Sequence, residues 1–314
     1  MSVEFFVCKE CGETFKSERS LHAHIKKHNL TVAEYYTKFY PRYNMQTGEV
    51  MPFKSKKEYF SKDFSSRSQM KKWISSNDRN IVGKYIYQKL KKRIEEKGMN
   101  QAPCYIDLEL SDMPPLESYR AIFGSYTKVC DKIGIKPMHA TPLSLGFFEE
   151  NSVYSDMEIL IDTREQKPLK FISSKAHKLD FGDYTVGGEH YSYTYIDRKS
   201  EPDFKSTFSV GLDRFKRELE RAREFNSFMY VLIEGDIESI KKNNVFAPHK
   251  SNLSYIWHNT KMIAREYCDV CQVLFSGGRR ASEFLVPRLL KFGKSLWNCD
   301  VQYYIDKRLE EKKQ

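Results

Sequence analysis

Cys8 and Cys11 stand two residues apart, twelve more residues precede His24, and three more precede His28. No other feature restricts the chain's local fold so tightly. Two thiolates from a hairpin and two imidazoles from a helix can close a tetrahedron around one zinc ion. A metal held that way organises a segment too short to build a core alone. His22 offers a second pairing with His28, with five residues between, a less usual spacing. Phe15 and Leu21 fall where so small a unit needs its two core side chains.

The stretch resembles a C₂H₂ zinc finger, which implies a ββα fold and a structural zinc held by Cys8, Cys11, His24 and His28. Such fingers serve DNA, RNA or protein. In those that read DNA, helix side chains enter the major groove; here the helix offers Ser17, Glu18, Arg19, Ser20 and His22, with Arg19 a candidate DNA contact. One finger buries too little surface to specify a site by itself. Asn29–Tyr43 reads as a short aromatic-rich helix bracing the finger, giving a first segment of residues 1–43.

Residues 44–136 read as a mostly helical region. Residues 44–68 are polar and turn-like, and the lysines at 54, 56 and 57 are expected on a solvated face. Residues 69–98 carry Met70, Trp73, Ile74, Ile81, Tyr85, Leu90 and Ile94 at helical steps, with a basic face in which Lys91, Lys92 and Arg93 are candidate DNA contacts. From Pro114 onward comes a short helix, then Phe123-Gly124-Ser125-Tyr126, then a helix closed by Gly134. This pattern resembles the small repeat attached to many homing endonucleases, and implies a helix-turn-helix-like arrangement that contacts DNA; a plain helical linker is the alternative. Residues 137–155, with Pro137, Pro142 and Gly146, read as a linker.

The segment 156–314 carries the chemistry. Met157–Ile161 is an apolar run that reads as a buried strand, delivering Asp162-Thr163-Arg164-Glu165 at its end. Gly182-Asp183 stands in a turn feeding another strand, and Tyr191–Arg198 is β-rich and runs into Lys199. Asp197 and Lys199 lie two apart, so on an extended chain they share a face. Carboxylates gathered at strand ends suit a hard divalent cation, which can stabilise charge on a phosphodiester. A lysine beside the last acid can orient or help deprotonate an attacking water.

Asp-x-Arg-Glu, Gly-Asp, and Asp197-Arg198-Lys199 followed by Asp203 resemble, in order, the motifs of the XPF-type nucleases, a branch of the PD-(D/E)XK superfamily. The one departure is Asp197, where that family usually has Glu. The resemblance covers about residues 157–295. It implies a restriction-endonuclease-like α/β domain, magnesium or manganese bound by Asp162, Glu165, Asp183 and Asp197, and catalysis by these four with Lys199. Arg198 and Arg214 are candidate DNA contacts. Val270–Phe275 reads as a further strand, so Cys268 and Cys271 are expected to be core-adjacent thiols. The family's usual C-terminal pair of helix-hairpin-helix motifs does not fit in the 22 residues after Phe292, so targeting is expected from the N-terminal modules.

The fold class expected is therefore multidomain: a ββα finger, a helical middle and an α/β nuclease domain. The 52 Lys and Arg outnumber 42 Asp and Glu, a formal net charge of +10. Residues 1–150 hold +7 of it (25 basic, 18 acidic) and residues 151–314 +3 (27 basic, 24 acidic), which suits a polyanionic partner such as DNA. No run of about 18 apolar residues marks a transmembrane helix, the first residues do not resemble a signal peptide, and seven cysteines, two of them paired with histidines at metal spacing, fit a reducing compartment. An intracellular protein is expected; a homodimer stays open. The function expected is a metal-dependent DNA endonuclease of site-directed, homing type. A structure-specific nuclease of repair or recombination, and a catalytically inactive DNA-binding regulator, are the alternatives.

Overall fold

The structure, a computed structural model, describes residues 5–143 and 157–311, so most of the expected linker lies outside the described residues. The chain divides into two compact units: Met1–Leu90 with Asp112–Ser125, and Lys91–Ser111 with Tyr126–Gln314. The first unit runs across the boundary expected at 43, and the second across those expected at 136 and 155.

In the first unit β1 (Phe6–Val7) and β2 (Thr14–Phe15) form an antiparallel hairpin. It is followed by α1 (Glu18–Ile25), whose Ser20 N–H donates to the Ser17 side chain that caps it. So small a unit needs outside support, and α2 (Val32–Phe39) supplies it. Thr31 and Glu34 close a reciprocal capping box. Tyr35 on α2 is buried against Cys8, Leu21 and Ile25, and its hydroxyl accepts from the Lys9 N–H at 2.7 Å.

Two local expectations are corrected here. Residues 44–68 were expected to be turn-like, yet α3 (Lys56–Ser61) forms there. Ser55 caps it and Glu58 sits in its first turn, while Tyr59 buries itself with Ala33, Met51 and Phe53. The helix expected over 69–98 is two helices, α4 (Arg67–Ser76) and α5 (Arg79–Lys97). The break falls at Asn77-Asp78, because Asp78 Oδ1 accepts from the N–H groups of Asn80 and Ile81 and so starts a new helix. The chain then makes α6 (Tyr105–Glu109) in the second unit, α7 (Leu116–Phe123) in the first and α8 (Tyr126–Ile133) in the second. The two helices of the expected repeat thus belong to different units.

The second unit is built on a six-stranded mixed sheet, in spatial order β4 (Ser174–His177), β3 (Ile159–Asp162), β5 (Tyr184–Val186), β6 (Thr194–Lys199), β7 (Phe228–Ile233) and β8 (Cys271–Phe275). β5 runs antiparallel to both neighbours, while β6, β7 and β8 are parallel. Every residue of β7 and β8 is buried. That is expected of parallel strands covered on both faces, and it explains their continuous apolar sequences. On one face Tyr195, Val231, Ile233, Val273 and Phe275 pack under Phe204 of α9 (Glu201–Thr207), Phe215 and Leu219 of α10 (Leu212–Glu224), and Ile256 and Ile263 of α12 (Leu253–Glu266), which follows α11 (Ile237–Phe246). On the other, α13 (Arg279–Phe292) packs on β5 and β6, and α14 (Val301–Glu311) packs on β8.

The described part of the expected linker is not free. Met138 is in the core, Thr141 bridges Cys299, and the Leu143 N–H donates to the Tyr304 hydroxyl. Cys271 is buried and Cys268 half-buried, and burial pushes both thiols up, as expected of packing cysteines.

Asp300 accepts from the Tyr105 N–H at 2.7 Å, and burial pushes its carboxyl up to about 7. The folded state therefore holds a proton that the unfolded chain releases near pH 4. The resulting stability is complete below pH 4 and is lost as pH rises through about 7. Asp300→Asn keeps an acceptor for Tyr105 without the charge. Melting curves between pH 4.5 and 8 should show the variant gaining on the wild type as pH rises, the gap levelling off above pH 7. A gap independent of pH would exclude this account.

Candidate active site and a Cys/His cluster

The sheet brings a set of acids to one cleft of about 1090 Å³ in the second unit. Alternation along β6 does the sorting. Asp197 and Lys199 point to the face of α10, where Lys199 Nζ lies 5.5 Å from the Phe215 ring centre, and Arg198 points the other way. Lys199 Nζ is 2.7 Å from Asp197 Oδ2 and 3.0 Å from Oδ1. Only Oδ1 has hydrogen-bond geometry, leaving Oδ2 buried without a hydrogen-bond partner.

Asp183 enters from the turn before β5. Gly182 has φ +68°, and a Cβ there would stand 3.0 Å from the Ile196 carbonyl oxygen, so only glycine lets this turn lie against β6. Asp183 N–H then donates to that oxygen at 2.7 Å, and Asp183 Oδ2 accepts from the Arg198 N–H at 2.7 Å. Burial, then the Asp197 charge, push the Asp183 carboxyl up to about 8. Burial holds Lys199 back, but the Asp197 and Asp183 charges outweigh it, so the ammonium is held more firmly than usual.

Glu218 of α10 lines the same cleft and was missed in the sequence. Its carboxyl is pushed up by burial and by Asp197, and Oε1 accepts from the Gly182 N–H at 3.3 Å. The available signal was its place between Phe215 and Leu219, at the edge of the buried stripe. Asp203, also lining the cleft, receives the Ser200 hydroxyl at the start of α9.

The remaining expected residues sit differently. Asp162 does not line the cleft. Its buried carboxylate accepts from Arg164 Nε (2.6 Å), from the Arg164 N–H (2.8 Å) and from the Leu179 N–H (2.8 Å), and these bonds hold it below the usual range against the pull of burial. Glu165 lines the cleft, but both its oxygens accept from Arg198 at 3.0 Å. Arg198 also donates to Glu234 at 3.0 Å, and with its side chain only 9% exposed it is a bracket between two acids rather than a free cation. Glu234, at the end of β7, was not singled out in the sequence.

Of the other candidate DNA contacts, Arg93 is taken by the buried Asp107 at 2.5 Å, a pair costly to break. Lys91 and Lys92 are exposed and only loosely paired, 3.9 and 3.6 Å from Glu95 and Glu96. Arg19 is exposed, and Arg214 is exposed on the cleft wall.

In the first unit Cys8, Cys11, His24 and His28 place one ligand atom each within 4.8 Å of one another, the one such group of three or more metal-binding side chains among the described residues. His24 Nε2 is 3.0 Å from His28 Nε2 and 3.2 Å from Cys11 Sγ. His22 stands apart, its Nε2 against the Tyr36 hydroxyl at 3.1 Å. Glu13 Oε2 lies 3.4 Å from the buried His24 Nδ1, the ring nitrogen that does not face His28 or Cys11, close to it but without hydrogen-bond geometry. The donor set and spacing are compatible with zinc.

No protein-family model matches the chain, and no curated protein matches it. Solved structures with similarity include XPF from Aeropyrum pernix, 14% identical with a TM-score of 0.34 over 44% of this chain and 67% of that one, and XPF from Aeropyrum pernix in complex with DNA, 15% identical with a TM-score of 0.34 over 44% of this chain and 66% of that one. Likeness at that score carries no argument. No described helix is long and apolar enough to cross a membrane.

Proposed function

We propose that this chain is a metal-dependent DNA endonuclease whose active site is formed by Asp183, Asp197, Glu218 and Lys199. The observation that carries this reading is the crowding of three half-buried or buried acids beside one lysine in a cleft walled by arginines. Carboxylates raised by burial and by each other in one cleft fit a hard divalent cation such as magnesium or manganese. When bound, such an ion stabilises negative charge developing on a phosphodiester. The protein's own part is positional: Asp197 fixes the Lys199 ammonium, which orients the attacking water and balances phosphate charge. Asp162 and Glu165, expected as ligands, act in this reading as braces through Arg164 and Arg198.

Cleavage of linear and supercoiled DNA is expected with magnesium or manganese and is expected to stop in chelator. Full activity with metal removed would overturn the mechanism. We further propose that the N-terminal modules direct the nuclease to a site, the homing-type role. A structure-specific role is the second reading, favoured by the exposed Phe225 ring one helical turn beyond Arg221 of the cleft wall. Sequencing the ends released from a mixed DNA library, beside assays on synthetic forks, separates the two.

The Cys/His cluster is read as a zinc site with Glu13 behind His24, since a carboxylate on the outer imidazole nitrogen strengthens the ligand. Metal analysis of the full chain should find one zinc, and Cys11→Ser should lose it. Glu13→Gln should weaken zinc affinity about 10-fold; unchanged affinity would remove Glu13 from the site.

A further inference from the structure

Along α10, Arg214, Arg217 and Arg221 follow at steps of three and four, so they share one face of the helix. All three are exposed and line the cleft next to Glu218. Arg214 and Arg217 make no hydrogen bond or ion pair among the described residues. Arg221 donates to the Asp180 carbonyl at 3.2 Å, beside the Gly182-Asp183 turn.

One helical turn beyond Arg221 the row ends at Phe225, which is 59% exposed. Phe225 does not stand alone. Its ring centre is 6.0 Å from Phe181, Phe181 is 4.4 Å from Tyr195, and the Tyr195 hydroxyl lies 2.8 Å from that of Tyr191. Tyr191 is 4.8 Å from Tyr193, and both keep more than a third of their surface exposed. Lys294 Nζ stands 4.7 Å from the Tyr193 ring centre, adding a cation at the far end.

Tyr193 sits at φ +56°, a region bulky residues avoid. Gly293 opposite has no room for a Cβ, which would collide with Ser192. Buried aromatics explain Phe181 and Tyr195; nothing in the core requires Phe225, Tyr191 and Tyr193 at the surface.

We propose that Phe225, Tyr191 and Tyr193 form a stacking platform for the bases of an unpaired DNA strand, whose phosphates run along Arg214, Arg217 and Arg221 toward the acid cluster. Arginines to track phosphate and open rings for base faces are the two components that single-strand recognition needs, and both are sequence-tolerant. The inference rests on the nuclease reading for its choice of DNA, but its test does not.

The test is metal-free binding by the full chain to a single-stranded 20-mer carrying 2-aminopurine and to a blunt duplex of the same sequence. Phe225→Ala and Tyr193→Ala should each weaken single-strand binding about 10-fold and reduce quenching of the probe, with duplex binding unchanged. Phe225→Trp should retain both. Loss that is equal on strand and duplex, no loss on either, or failure of the tryptophan to substitute would each overturn the platform. A chain that binds strands this way yet never cuts leaves the platform standing and removes the nuclease. One that cuts but ignores the ring deletions does the reverse.

Discussion

Asp183→Asn is expected to slow metal-dependent DNA cleavage by on the order of 10²–10³-fold, the usual effect of removing one electrostatic partner of a transition state, while the protein stays folded and binds DNA. Asparagine has the same shape and its carbonyl can still accept from the Arg198 N–H, which holds the aspartate at 2.7 Å. What disappears is the charge that a cation needs and that Lys199 is partly balanced against. Asp162→Asn should behave in the opposite way. Its carboxylate collects donors from Arg164 and the Leu179 N–H, so replacing one oxygen by an amide group turns a donor toward donors. That should cost about 1.5–3 kcal/mol and lower Tm by roughly 3–10 °C, with cutting retained well below the melting range. Single-turnover cleavage, gel shift and melting curves on the two variants check both halves. An Asp162→Asn protein that melts normally but has lost all cutting would return Asp162 to the metal and take the bracing role away from it.

The strand-end acids were legible because strand periodicity is short-range. Asp197 and Lys199, two apart, had to share a face, and the same rule put Arg198 on the other side, toward Glu165 and Glu234. Its candidacy as a DNA contact had neglected that consequence. Glu218 was not legible in the same way. On a helix bearing Arg214, Lys216, Arg217 and Arg221, an acid reads as part of a solvated face, and only the packing of α10 against β7 turns it into the cleft. The Cys/His cluster was readable because its spacing is itself the geometry. The helix break at Asn77-Asp78 was not, since the apolar pattern continues through it and a single side-chain cap decides the matter. Least legible was the membership of residues 91–111 and 126–143. Their contacts reach across as many as 195 positions, from Tyr105 to Asp300, and no local pattern encodes such a partner.

That membership puts residues 91–111 and 126–143 in the unit that carries the acid cleft. The sequence puts the start of the nuclease domain at 156, behind a linker, and implies that deleting residues 1–150 leaves a folded chain that cuts weakly and with little site preference. The structure makes this a poor boundary. Cys104 and Ile106 of the α6 segment and Met138 belong to the same core cluster as Val231 and Phe275. The Lys261 ammonium donates to the Leu110 carbonyl at 3.0 Å, Ala102 bridges Pro137, and Tyr105 holds Asp300. Removing three core side chains at about 1.5–3 kcal/mol each, together with these hydrogen bonds, takes away most of the 5–15 kcal/mol on which a domain survives. Residues 151–314 alone should therefore show no cooperative melt and no cutting. Residues 91–314, with 112–125 replaced by a short flexible loop because α7 belongs to the other unit, should melt cooperatively and cut DNA with magnesium. The affinity that is left should be weaker and less selective, since the excess positive charge and both candidate reading modules lie mainly in the part removed. Circular dichroism melts and library cleavage on the two fragments decide the point. If 151–314 melts like the full chain, the early helices are an appendage and the acid cleft stands on the sheet alone.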